Sequence, residues 1–178
     1  RWPLFGILAL GAAQGYMGWY MVKSGLVDIP RVSPYRLAAH LGLALLVYTL
    51  MLRVAIGLLL DRVPAADSST AQRWPRALLL VMVATTIGFG AFVAGLRAGH
   101  MYNTFPLMAG YWVPPGMAAM EPFWRNLFEN PVSVQFIHRI IALSTLAVTL
   151  WVWWRMRNAA QDKAQARSRL ALLLMALI

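Results

Sequence analysis

The chain has 178 residues, 60% of them hydrophobic and 12% charged, a balance too apolar for a soluble domain of this length. Sixteen Lys and Arg against six Asp and Glu give a formal charge of +10; such basicity ordinarily raises nucleic acid as a partner, but here the charges lie between apolar runs, as topology signals do, and no nucleic-acid partner is expected. Cysteine is absent, which excludes disulfides, thiolate metal sites and Cys nucleophiles from this stretch and leaves histidine as the soft ligand.

In chain order, apolar runs at roughly 3–22, 34–60, 77–97 and 131–154 are each long enough to cross a bilayer, and a fifth starts near residue 169. Lipid offers no hydrogen bonds to a backbone, so each run is expected as a helix. The fold class that follows is all-α: a polytopic transmembrane helical bundle of four complete spans plus one truncated span. The sequence opens at Arg1 and closes inside Leu170–Ile178, an apolar run of about nine residues where a span needs roughly twenty, and so reads as a piece of a longer protein. The first run lacks the cleavage pattern and short core of a signal peptide, and is expected to remain a true span. Its Gly11, Gly15 and Gly18 have the small-residue spacing that lets a neighbouring backbone come close.

Ser33-Pro34 and Asn130-Pro131 each place a capping residue before a proline suited to the first helical position, and so mark helix starts. Residues 61–76 are expected as an inner-side connecting loop. The stretch Tyr102 to Trp124 is broken by Pro106, Pro114, Pro115 and Pro122 and is expected to lie along the outer interface. Arg1, Arg62, Arg73, Arg76, Arg155, Arg157, Lys163, Arg167 and Arg169 fall on one side of this arrangement, and Lys23, Arg31, Arg36, Arg97 and Arg125 on the other. The richer side is expected to be cytoplasm or matrix, so connections 23–33 and 98–130 face the periplasm or intermembrane space. Trp19, Tyr20, Trp112, Trp124, Trp151, Trp153 and Trp154 sit near span ends, as interfacial anchors do without any ligand.

Polar side chains at membrane depth are costly and default to a functional reading. His40 stands roughly 9 Å into the second span and His138 roughly 11 Å into the fourth, at a rise of 1.5 Å per residue. Both spans start outside, so the two histidines are expected at similar depth. Neutral imidazole offers a lone pair to haem iron; alternatively each histidine simply hydrogen-bonds across helices. Arg36, one turn before His40, either holds a propionate or is an ordinary loop-proximal charge. Arg139, about 100° around the helix from His138, either pairs a propionate or snorkels. His100 is expected to be interfacial and solvated, Arg53 to snorkel, and Gln14 and Gln135 to hydrogen-bond between helices. Neither a Gly-rich phosphate loop nor a His-Glu-x-x-His signature is present, so a redox or cofactor-handling role fits better than hydrolysis.

Three stretches then become recognisable. Gln14–Leu26 (QGYMGWYMVKSGL) with Asp28–Leu41 (DIPRVSPYRLAAHL), Ala94–Met108 (AGLRAGHMYNTFPLM) and Asn126–Arg139 (NLFENPVSVQFIHR) resemble, in order, three regions of the haem A synthase family. The resemblance implies an eight-helix protein of two related four-helix halves related by a pseudo-twofold. Residues 1–60 would be the second helix pair of the amino-terminal half, 61–76 the connection, and 77–178 the first helix pair and truncated third helix of the other half. His40 would ligate the iron of the substrate haem O, and His138 that of a haem b. Arg36, Arg139 and Gln135 join them as expected haem-binding residues.

The implied activity is oxidation of a methyl group of haem O to the formyl group of haem A, through a hydroxylated intermediate, in the bacterial plasma membrane or mitochondrial inner membrane. Its implied partners are haem O synthase, an electron donor, the cytochrome oxidase assembly machinery and lipid; a homo-oligomeric state stays open. The opposite haem ligands and the Glu-containing histidine motif of the family lie outside this chain, so it is expected to be catalytically incomplete by itself. Arg97 and His100 depart from the acidic and small or apolar residues usual in the family. An electron-transferring di-haem b-type cytochrome and a non-catalytic oxidase assembly factor are the competing readings.

Overall fold

The computed structural model describes residues 2–25, 32–59 and 70–157. Among the described residues, four α-helices run in chain order: α1 Trp2–Gly25, α2 Pro34–Leu59, α3 Thr70–Gly95 and α4 Pro131–Arg157. A non-helical segment between α3 and α4 contains two short 3₁₀ turns, Ala98–His100 and Phe123–Leu127. Helices α2, α3 from Arg73 and α4 as far as Arg155 are each long and apolar enough to cross a membrane, and the protein is a polytopic helical membrane protein. The expected fifth run near residue 169, residues 61–69 of the expected connection, and Arg1, Arg31, Arg62, Lys163, Arg167 and Arg169 lie outside the described residues.

One boundary and the apolarity of one helix differ from the sequence expectation. Helix α3 starts at Thr70, inside the stretch expected as a loop, and carries Pro75 in its interior. Hydropathy marks only where a helix enters lipid, and the polar turns before Arg76 extend α3 beyond that point. Pro75 is the sixth residue of α3, past the four N–H groups that lack an intrahelical acceptor, so it forgoes one helical hydrogen bond. Helix α1 has the length of a span but is not among the helices apolar enough to be one by composition; Gln14, its glycines and the Tyr16, Trp19, Tyr20 group dilute its second half.

The helix ends follow from local chemistry. Asn130 caps α4: its side-chain oxygen accepts the Val132 amide at 3.0 Å and its carbonyl accepts that of Val134 at 2.9 Å, while Pro131 takes the first position, where no donor is lost. At the start of α2 the Ser33 carbonyl accepts the Leu37 amide at 3.0 Å. Helix α3 ends at Gly95, and Arg97 turns the chain with a left-handed φ of 54°, a conformation that stops helices.

The chain divides into two compact units. One contains α1, α2, the end of α3 from Gly90 and the chain onward to Gln135; the other pairs α3 up to Phe89 with α4 from Phe136. In the first, α1 packs along α2. Its inter-helix segment is organised around a buried polar core rather than left as an open loop. Asn126, 1% exposed, accepts the Met120 amide at 3.0 Å and donates to the Met120 and Phe123 carbonyls at 2.8 and 3.0 Å. Asn130 donates to the Asn126 side-chain oxygen and to the Gly116 carbonyl. Ser133 reaches the Met117 carbonyl, and Met108, Ala98 and Val134 fill the apolar remainder. Phe105, Tyr111, Trp112, Phe123 and Trp124 stay exposed, the residue types that settle at a membrane interface.

In the second unit, the Thr86 and Thr145 hydroxyls hydrogen-bond at 2.8 Å and the Trp74 and Trp151 rings lie 5.3 Å apart. Helix α2 buries no residue in this chain, and much of the apolar surface of all four helices is exposed, as lipid-facing helices require.

Gly95 permits a close approach to α2 in the first unit. A Cβ placed there would stand 2.7 Å from Pro34 Cα, so no larger residue fits without moving the start of α2. Gly95→Ala is expected to cost about 1–3 kcal/mol of stability, read as a lower unfolding temperature in detergent. Gly99→Ala, whose new methyl would meet Val93 at an ordinary 3.7 Å, should leave it nearly unchanged.

Candidate functional site

His40 lies on α2 in the first unit, half-buried against α1. Gln14 and Gly18, one turn apart on α1, share the face that receives it. Gly18 leaves the room: a Cβ there would stand 3.2 Å from His40 Cε1 and 3.8 Å from Nε2. Gln14 Nε2 donates to the His40 carbonyl at 3.2 Å and lies 3.3 Å from His40 Nε2. Gln14 Oε1 and His40 Nδ1 are buried with no hydrogen-bond partner among the described residues. One turn before His40, the Arg36 guanidinium lies 4.9 Å over the Tyr20 ring of α1. Gly11 and Gly15, expected to serve the same close approach, meet no neighbour within 4 Å among the described residues.

The start of α2 is anchored from the other side. The Tyr35 hydroxyl donates to Glu129 Oε1 at 3.1 Å, and Arg125 donates to Glu129 Oε2 through Nε at 2.8 Å, with its NH2 group 2.7 Å from the same oxygen. Phe92 of α3 meets the Tyr35 ring edge-on at 5.2 Å and the Phe128 ring at 5.5 Å. The hydrogen bond from Arg125 holds the Glu129 carboxyl below the ordinary carboxylate range; desolvation opposes this, and the Tyr35 hydroxyl adds to it.

Gln135, also in the first unit, is 5% exposed. Its Nε2 donates to the Tyr102 carbonyl at 3.0 Å, while Oε1 is buried without a partner among the described residues. It bonds to the segment after α3, where a partner on another membrane helix was the expectation.

His138 belongs to the second unit, half-buried on α4. Its ring hydrogen-bonds the Thr86 backbone of α3, and its Nδ1 has no partner among the described residues. Arg139 beside it is half-buried. His100 and Arg53 are exposed, His100 in the turn that follows α3.

A haem needs from the protein an axial nitrogen with a lone pair, an orientation for that ring, and cations or amides near its propionates. The donors present fit that group. In His138 the Thr86 backbone fixes one nitrogen and leaves the other unpartnered, the state expected of a ligating imidazole. The His40 ring differs in being met at Nε2 by the Gln14 side chain of the neighbouring helix. Among the described residues no three His, Asp or Glu gather as a metal-ion cluster; an axial haem ligand requires no such cluster.

A family model described as a cytochrome oxidase assembly protein, COX15-CtaA, matches residues 1–178. The chain belongs to this family. Among similar curated proteins, a Heme A synthase of Nitrosospira multiformis is 48% identical over 180 residues, which take in 98% of this chain and 49% of that protein. A Heme A synthase of Agrobacterium fabrum is 47% identical over 167 residues, 94% of this chain and 46% of that protein. One of Rhizobium meliloti is 44% identical over 178 residues, 100% of this chain and 48% of that protein. The chain thus spans about half the length of the curated relatives it matches. No solved structure matches it.

Sequence reasoning about this family member marked Gly18 as a close-approach position but missed its pairing with His40, and missed the Tyr35, Arg125, Glu129 and Phe92 anchor. The second had a signal: Arg125 and Glu129 stand four apart, the spacing of a helical ion pair. The first had none beyond the glycine itself, because its role depends on a residue of another helix.

Because the folded Glu129 carboxyl is held below its ordinary value, its contribution to stability is fully present above about pH 4–5 and is lost as pH falls through the depressed native value. The unfolding temperature should therefore drop on acidification below about pH 4.5, and Glu129→Gln should flatten that limb.

Proposed function

We propose that the protein is a haem A synthase, which oxidises a methyl group of haem O to the formyl group of haem A for cytochrome c oxidase. The observation that carries this reading is the combination of relatives named Heme A synthase along nearly the whole chain with two intramembrane histidines, each set against a neighbouring helix by one hydrogen bond. The buried Nδ1 of His138, without a partner among the described residues, is a nitrogen that packing alone does not need.

His40 is the ligand to the iron of substrate haem O, and His138 the ligand to a resident haem b. Bound there, haem b would supply a redox centre able to relay electrons from a donor. The chain's own residues bind and orient. Arg36, Arg139 and Gln135 are placed within about one turn of a histidine on α2 or α4 and serve the propionates, for which an Arg fork is suited. Ligation uses the lone pair of a neutral imidazole.

In this reading the stretch between α2 and α3 joins two related halves of a larger protein, and the haem sites face the outer side of the bacterial plasma membrane or mitochondrial inner membrane. The substrate comes from haem O synthase and the product passes to oxidase assembly.

The test expresses the whole protein in membranes containing haem O, followed by haem extraction and chromatography with mass detection. Haem A should form, and both His40→Ala and His138→Ala should lower it by about a hundredfold or more, since even loss of an outer partner of a ligand costs 10–100-fold. Unchanged haem O with copurifying haem b would replace this reading with an electron-transferring cytochrome.

A further inference from the structure

The two histidines differ in what holds them. The His40 backbone carbonyl stands 3.2 Å from the Gln14 amide and can only accept, so the Gln14 atom facing it is the NH₂ nitrogen. That same nitrogen is 3.3 Å from His40 Nε2. Its second N–H is therefore aimed at an acceptor, and Nε2 carries the lone pair. The proton resides on Nδ1, which is buried without a partner among the described residues. Gln14 thus occupies the lone pair by which an imidazole binds iron. In His138 the ring bonds backbone instead, and the unpartnered nitrogen remains available.

We propose that Gln14 is a positioning residue that competes with the substrate iron for His40 Nε2, so that haem at this site binds exchangeably. This rests on the reading of His40 as the substrate ligand. As the iron–nitrogen bond forms, the Gln14 N–H···Nε2 hydrogen bond breaks; no electron moves. When haem leaves, the amide takes the lone pair back and no naked acceptor is left in the apolar seam. Gly18 supports the exchange, since with only hydrogen at this position the ring has 3.2 Å to the place a methyl would fill. A substrate site must release its product, whereas a resident cofactor must stay. An amide side chain can be displaced by turning one rotamer, and a helix backbone group cannot.

The test uses the whole protein in lipid nanodiscs, with haem titrated by absorbance and its dissociation followed by transfer to apomyoglobin. Gln14→Met keeps length and helix preference without an N–H, and Gln14→Leu is a second variant should the first fold poorly. Haem at the His40 site is expected to bind about fivefold more tightly and leave more slowly, the effect of removing one competing hydrogen bond of ordinary strength. In haem-free protein with ¹⁵N-labelled histidine, the wild-type His40 should show an unprotonated, hydrogen-bonded Nε2 whose resonance moves in Gln14→Met. Unchanged affinity and unchanged resonance in both variants would overturn the proposal. His40→Ala separates the two claims: if it leaves the coordination spectrum of the titrated haem intact, the ligand assignment itself is wrong. If it removes that spectrum while the Gln14 variants match wild type, only the competition fails.

Discussion

An imidazole placed between apolar helices has no water to satisfy it, and the backbone around it is already committed to helical hydrogen bonds. Its partner must come from the next helix, and that helix must approach closely. In the first unit both conditions meet on one face of α1, where Gln14 supplies the amide and Gly18 the room for His40. An interhelical hydrogen bond in a membrane is worth about 0.6–2 kcal/mol, too little to hold α2 alone. Tyr35, Phe92 and Phe128 add aromatic contacts of about 0.5–1.5 kcal/mol each beyond their buried area, and Gly95 lets Pro34 settle against α3. The Arg125–Glu129 pair, with side chains 40% and 26% exposed, adds less, because solvent screens it. Packing therefore sets where α2 starts, and the polar contacts set how His40 faces.

His40 and His138 differ in their surroundings. His40 faces a side-chain amide, whereas His138 faces backbone in a unit tied together by the Thr86–Thr145 hydroxyl pair and the Trp74–Trp151 contact. A ring aimed by backbone has one stable orientation. A ring aimed by an amide has a partner that can turn away, which suits a site through which molecules pass.

Much of this was legible from one-dimensional pattern. Apolar runs located α2, α3 and α4 because lipid imposes length and hydropathy on any span, and Asn130-Pro131 marked the start of α4 because a cap and its proline are sequence neighbours. The buried core of Asn126 and Asn130 was not legible: asparagines in a proline-rich stretch read as surface turn residues, and only their bonds to Gly116, Met120 and Phe123 turn them inward. Helix α3 was read as starting too late because its first turns are polar. Gly18 and the Tyr35–Glu129 contact depend on pairs 22 and 94 positions apart, beyond the reach of local pattern.

The most direct measurement is a cryo-electron microscopy structure of the whole protein isolated with its haems. Two haem irons are expected, one bonded to a ring nitrogen of His40 and the other to a ring nitrogen of His138, with Gln14 turned off the His40 ring wherever that site is filled. A haem iron held by other residues, with either imidazole still packed against the neighbouring helix, would contradict this expectation.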